Sequence, residues 1–169
     1  MKRILIAACA ALAALVALRS ARAATAQSTL TVNATVPAIC IITPATLNFG
    51  TYDPVGVNAA PSANLDATAT VTVACTKGSN YWLGLNTGAN ASGATRRMKA
   101  NAADYLTYEL YQDSGRTTVW GNTTGTAPAA VTAGTTGVIT LTVYGRVAGG
   151  QTTTPSGAFT DTVQSTINF

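Results

Sequence analysis

The chain has 169 residues, with ten Lys and Arg against six Asp and Glu, and it contains no histidine. Without histidine the Ser-His-Asp and Cys-His nucleophile arrangements are excluded, and the commonest metal ligand is missing. The net charge of +4 resides in the first 23 residues, where Lys2, Arg3, Arg19 and Arg22 lie, so the remainder is balanced and offers no basic excess for nucleic acid or an anionic membrane.

Lys2 and Arg3 precede the uncharged apolar run "ILIAACAALAALVAL" at 4–18, and "ARA" at 21–23 supplies a small-x-small cleavage site. This predicts a secretory signal peptide over residues 1–23. The run is shorter than the roughly 20 residues of a membrane-spanning helix. No later stretch is longer and as apolar, so no membrane insertion of the mature chain is expected. Removing the leader leaves 146 residues (169 − 23), enough for one domain with a full core. It also removes Cys9, leaving Cys40 and Cys75 where thiols oxidise. The pair reads as a disulfide, two buried free thiols being the other reading.

The rest is rich in Thr, Val, Ala and Gly, which predicts an all-β chain. Period-2 alternation predicts strands at 28–36 ("STLTVNATV"), 46–52 ("TLNFGTY"), 69–75 ("ATVTVAC"), 81–86 ("YWLGLN"), 105–111 ("YLTYELY"), 137–147 ("GVITLTVYGRV") and 159–169 ("FTDTVQSTINF"). Six or seven strands in a disulfide-bearing secreted domain point to an immunoglobulin-like sandwich, with a closed barrel as the alternative. The stretch 88–104 reads as a long loop carrying the one basic cluster, Arg96, Arg97 and Lys99, either as a solvated loop or as a site for an anionic ligand.

Chemistry is sparse. Asp53, Asp66, Asp104, Glu109, Asp113 and Asp161 are scattered and mostly beside turns, and no phosphate loop, calcium loop or zinc spacing occurs. No catalytic residue, metal or cofactor is expected, and the chain is not read as an enzyme.

The two ends carry the functional signal. In residues 24–38, Leu30, Val32, Ala34 and Val36 alternate with Thr31, Asn33 and Thr35 before Pro37 interrupts the ladder. At the other end Val163, Ile167 and Phe169 share one face of a strand that runs to the last residue. A strand without an evident partner at one end and an uncovered edge at the other fit head-to-tail exchange, in which each subunit lends its N-terminal strand to the next. Such heterologous contacts build filaments. The intramolecular alternative makes residues 28–36 the first strand of the subunit's own sheet.

Several fragments in order, "LNFGTY" at 47–52, "VTVACTKGSNYWLGLNTG" at 71–88, "RRM" at 96–98, "LTYELYQD" at 106–113, "WG" at 120–121, "VYGRV" at 143–147, "GAFTDTV" at 157–163 and the final "INF", give a resemblance. With Cys40 ahead of them, the chain resembles the spore coat protein U domain family, whose members include subunits of archaic chaperone-usher pili. The resemblance implies an immunoglobulin-like pilin domain over 39–169 that lacks its last strand and is completed by a donor strand. It also implies a Cys40–Cys75 disulfide and assembly by donor-strand exchange. The implied partners are a periplasmic chaperone, an outer-membrane usher and neighbouring pilin subunits, and the implied location is the cell surface, reached through the periplasm. Leu30, Val32, Ala34 and Val36 would form the donor strand, and Val163, Ile167 and Phe169 would border the acceptor groove and contact the chaperone. The expected role is a shaft or minor subunit of a fibre serving adhesion or biofilm formation. The alternative is a monomeric secreted coat protein or carbohydrate-binding module.

Overall fold

The computed structural model describes residues 24–43 and 45–169, so the predicted signal peptide lies outside the described residues. The chain divides into two units, Met1–Thr35 and Val36–Phe169. Within the first, residues 24–35 form no strand, and Leu30 and Val32 are 86 % and 82 % exposed. The strand predicted at 28–36 is therefore absent as a paired element, although its alternation is intact. An isolated extended segment gains nothing in water until both edges and one apolar face find partners.

The second unit is all-β, with eight strands and no helix among the described residues: β1 (Cys40–Ile42), β2 (Leu65–Cys75), β3 (Asn80–Leu85), β4 (Arg96–Lys99), β5 (Tyr105–Tyr111), β6 (Val131–Thr132), β7 (Val138–Val147) and β8 (Ser165–Asn168). They form two antiparallel sheets, ordered β1-β2-β7-β5-β4 and β6-β3-β8. The frame is the long β2–β7 ladder, which runs in register from Leu65 opposite Val147 to Ala74 opposite Val138. Its inward residues Val71, Val73, Val143 and Val147 meet Tyr81, Leu83 and Leu85 of β3 and the indole of Trp120. The sandwich follows from this alternation: each strand buries every second side chain and leaves the Thr between them outside.

Cys40 and Cys75 are bonded, their sulfurs 2.04 Å apart, and the link joins edge strand β1 to β2 where the two residues face each other in register. The cysteines are 35 residues apart in sequence. Replacing both by Ala is expected to lower the unfolding free energy by roughly 3–4 kcal/mol on the chain-entropy account. Urea denaturation of the wild type and the double variant without reductant measures the difference.

Three predicted elements differ. The stretch at 46–52 is extended but joins no ladder, and of 159–169 only Ser165–Asn168 pairs as a strand. The predicted loop at 88–104 contains β4, because Arg96 enters the core with its charge neutralised and Met98 packs against the core beside it.

Candidate functional site

The two extended stretches outside the ladders, 45–52 and 157–164, face each other across an open cavity of about 1160 Å³ between the sheets. Its floor is apolar and includes Val71, Leu85, Leu106, Leu110, Val143 and Val147. One rim carries Leu47 and Phe49, the other Phe159 and Val163. Gly145 lets the first rim approach the sheet, since a Cβ there would lie 2.8 Å from Phe49 Cζ and 2.9 Å from Leu47 Cδ1. The far end of that rim is pinned by Tyr52, whose hydroxyl donates to the Ala148 carbonyl at 3.2 Å and accepts from the Gln151 N–H at 3.0 Å.

The backbone along the cavity's rims is only partly paired. On the second rim Thr160, Thr162 and Gln164 are bonded on one side only: Thr160 exchanges two bonds with Lys99, Thr162 O accepts from Ala89 N at 3.0 Å, and Gln164 O accepts from Asn86 N at 3.1 Å. In an extended chain the alternate residues, Asp161 and Val163, turn their N–H and C=O the other way. Among the described residues these groups have no backbone partner, and neither do those of Leu47, Phe49 and Thr51 on the first rim. Backbone polar groups beside an apolar floor are costly to leave without partners. One further strand of about seven residues, about 23 Å long, would satisfy both rims and fill the cavity.

Polar anchors hold the second rim in place. The Tyr108 hydroxyl donates to Asp161 Oδ2 at 2.7 Å, and Asp161 Oδ1 accepts from the N–H and the side-chain amide of Asn90, both at 3.0 Å. Burial, then the adjacent carboxylate, pushes the Tyr108 phenol far above its ordinary range, so it remains a donor at every physiological pH. Arg96, 2 % exposed, is the second anchor. Its guanidinium donates to the carbonyls of Leu85 at 2.9 Å, Asn86 at 2.8 Å and Trp120 at 2.7 Å, and pairs with Glu109. It thereby ties β4 of one sheet to the end of β3 in the other.

Of the sequence-predicted site residues, Val163 lines the cavity. Ile167 pairs with Leu83 and packs on the core beyond the cavity lining, while Phe169 is 61 % exposed and lies outside that lining. Cys40 and Cys75 are joined at the base of β1. Val36 is exposed, as are Leu30, Val32 and Ala34 of the first unit. The anionic-ligand reading of the basic cluster does not hold for Arg96, whose donors are spent internally. Arg97 stacks on Tyr105, 3.9 Å from the ring centroid, and donates to Asn90 O at 3.0 Å. Sequence reasoning missed Leu47, Phe49 and Phe159 as rim residues, although the alternation in "TLNFGTY" and "GAFTDTV" was the available signal.

The family model of the Spore Coat Protein U domain matches residues 26–166. The chain belongs to that family. Consistent with this, this family member is 43 % identical over 156 residues to Protein U of Myxococcus xanthus, covering 86 % of each chain. The fold of the domain is pilin-like. Among solved structures, the domain resembles a chain in the chaperone–tip adhesion subunit pre-assembly complex CsuC-CsuE, from archaic chaperone-usher Csu pili of Acinetobacter baumannii. The TM-score is 0.54 at 22 % identity, over 80 % of this chain but only 40 % of that one. The P pilus rod subunit PapA gives a TM-score of 0.52 at 16 % identity, over 76 % of this chain and 97 % of PapA. These likenesses are of fold.

Proposed function

We infer that this protein is the structural subunit of a secreted surface fibre, assembled by donor-strand exchange. The observation that carries the reading is the apolar cavity between 45–52 and 157–164, with backbone groups on both rims that lack backbone partners among the described residues. Its occupant in the fibre is the segment Leu30–Val36 of the neighbouring subunit. Leu30, Val32, Ala34 and Val36 enter the cavity, while the N–H and C=O groups of the segment pair with both rims. Each fully buried apolar side chain contributes roughly 1.5–3 kcal/mol, so exchange proceeds without nucleotide.

Before assembly the same groove requires cover, since an open edge over an apolar floor aggregates. A periplasmic chaperone lending a strand to Val163 and its neighbours fills that need, and an outer-membrane usher is the site of polymerisation. Ile167 and Phe169, at the end of the rim strand, belong to the chaperone contact. On this reading the protein passes through the periplasm to the cell surface, and the fibre serves adhesion or biofilm formation. A coat layer built from the same exchanged subunits is compatible with the family's description.

The test is complementation in trans. Subunit lacking residues 24–36, held by its chaperone, is mixed with a synthetic peptide of residues 26–38. The expected result is release of the chaperone and a one-to-one subunit–peptide complex with a higher melting temperature. A peptide no better than a scrambled control would overturn the reading.

A further inference from the structure

The groove runs the length of the sandwich. Its first rim starts where Thr43 N donates to Thr72 O at 2.9 Å, close to β1, and ends at Tyr52 beside Ala148. The domain therefore has two poles. At one, the chain enters β1 next to the 76–79 turn; at the other, the loop 53–58 lies beyond the end of the groove.

The connection between donor segment and domain has no slack. Only Pro37, Ala38 and Ile39 separate Val36 from Cys40, a reach of at most about 14 Å. Thr76 clamps even these residues: its hydroxyl donates to Pro37 O at 3.1 Å and accepts from Ile39 N at 3.1 Å, and its N–H donates to Ile39 O at 2.8 Å. With Leu30–Val36 seated in a neighbour's groove, the β1 pole of one subunit must abut the loop pole of the next in a linear array.

Both surfaces brought together are apolar. At the loop pole Val55 and Val57 are 85 % and 79 % exposed. They stand on a rigid base, because Asp53 Oδ1 accepts from the N–H of Val55 at 3.1 Å and of Gly56 at 2.8 Å, and Oδ2 accepts from Val57 at 3.3 Å. The buried Asn58 locks the base by accepting from Asp53 N at 3.0 Å and donating to Ala63 O at 2.8 Å. At the β1 pole Ile39, Ile41 and Val138 are each more than half exposed. Ile41 and Val138 lie in one row across the sheet, each opposite Ala74. The charges at the two poles are also opposite in sign, with exposed Lys77 at this one and Asp53 at the other.

We propose that in the fibre the Val55–Val57 tip of each subunit seats on the Ile39, Ile41 and Val138 surface of the next copy, a second contact beside the exchanged strand. The contact rests on the donor-strand reading, because the short tether is what brings the poles together. Ordinary surfaces carry apolar residues singly, whereas apolar clusters this exposed mark interaction sites. The contact removes one side of the freedom that a single-strand connection would leave, so it sets the angle between successive subunits and stiffens the fibre.

The test uses fibres purified from cells making Val55→Cys/Val138→Cys subunits, treated with a short bismaleimide and boiled in detergent. The expected result is a ladder of covalently linked subunits, absent from either single variant. Fibres that form but give no ladder would overturn the contact and leave the exchanged strand standing. Formed fibres of the two single variants, mixed and treated alike, should give no ladder; a ladder there places the contact between fibres and also overturns the proposal. Should the cysteine pair fail to assemble, Val55→Ser/Val57→Ser, confined to an exposed loop, is the second arm. These fibres should assemble but break at lower shear than wild type, and unchanged breakage counts against the contact. If wild-type subunits lacking residues 24–36 still form fibres, the donor-strand reading fails and the pole contact fails with it.

Discussion

Val32→Asp subunits are expected to fold, to bind their chaperone and to stop there. Val32 lies at the centre of the alternating segment and is 82 % exposed before exchange, so the substitution costs the free subunit nothing in packing. After exchange the same carboxylate would sit in an apolar cavity whose floor includes Val71, Val143 and Val147, at a cost of several kcal/mol. The surrounding groups offer no relief. The buried polar groups near the cavity, Arg96 and the Tyr108–Asp161 pair, already have partners, and a second carboxylate near Asp161 would meet like charge. The measurement is the ratio of chaperone-bound subunit to fibre in periplasmic and surface fractions. A Val32→Asp subunit that assembles at the wild-type rate excludes residues 30–36 as the donor, and one that fails to fold with its chaperone present assigns the segment to its own domain.

Arg96→Ala produces the other large effect, on stability rather than assembly. The substitution leaves three carbonyls, of Leu85, Asn86 and Trp120, without their charged donor, and it strands Glu109 without its ion-pair partner. Removing one member of a buried pair typically costs about 3–5 kcal/mol, against the 5–15 kcal/mol of a whole domain. Arg96→Lys should recover little, because a single ammonium cannot reach carbonyls arranged for a planar fork. Chemical denaturation of the peptide-complemented subunit reads both variants. A loss for Arg96→Ala no larger than that of an average surface substitution would show that the network contributes nothing net.

Much of the frame was legible because a strand with one dry face states its own period. Leu106, Tyr108 and Leu110 alternate with residues of the opposite face in "YLTYELY", and the observed strand has those limits. Val71, Val73 and Cys75 read the same way in β2. The groove was legible only on one side. Val163 could be named from alternation, whereas Leu47 and Phe49 belong to a stretch that reads as an ordinary strand, and its lack of a ladder is a property of the tertiary arrangement. Arg96 was not legible at all. Nothing in "GATRRMK" distinguishes the arginine that enters the core from the one that stacks on Tyr105, since the carbonyls that receive it come from residues 10, 11 and 24 positions away. Phe169 shows the opposite failure, a large apolar side chain at the chain end that packs less than its alternation suggests.

The position of the disulfide has a mechanical consequence for a fibre linked through its N-terminal segments. Tension on such a fibre passes the Thr76 hydrogen bonds to Pro37 and Ile39 and meets its first covalent cross-link at Cys40, the first residue of a three-residue edge strand that would peel or shear readily by itself. The covalent bond to Cys75 carries the pull past that weak strand into β2, whose register with β7 extends from Leu65 to Ala74 and loads its hydrogen bonds along the strand direction, many at once. A fibre with this bond reduced would yield at β1 under forces that the oxidised fibre transmits unchanged from one subunit to the next.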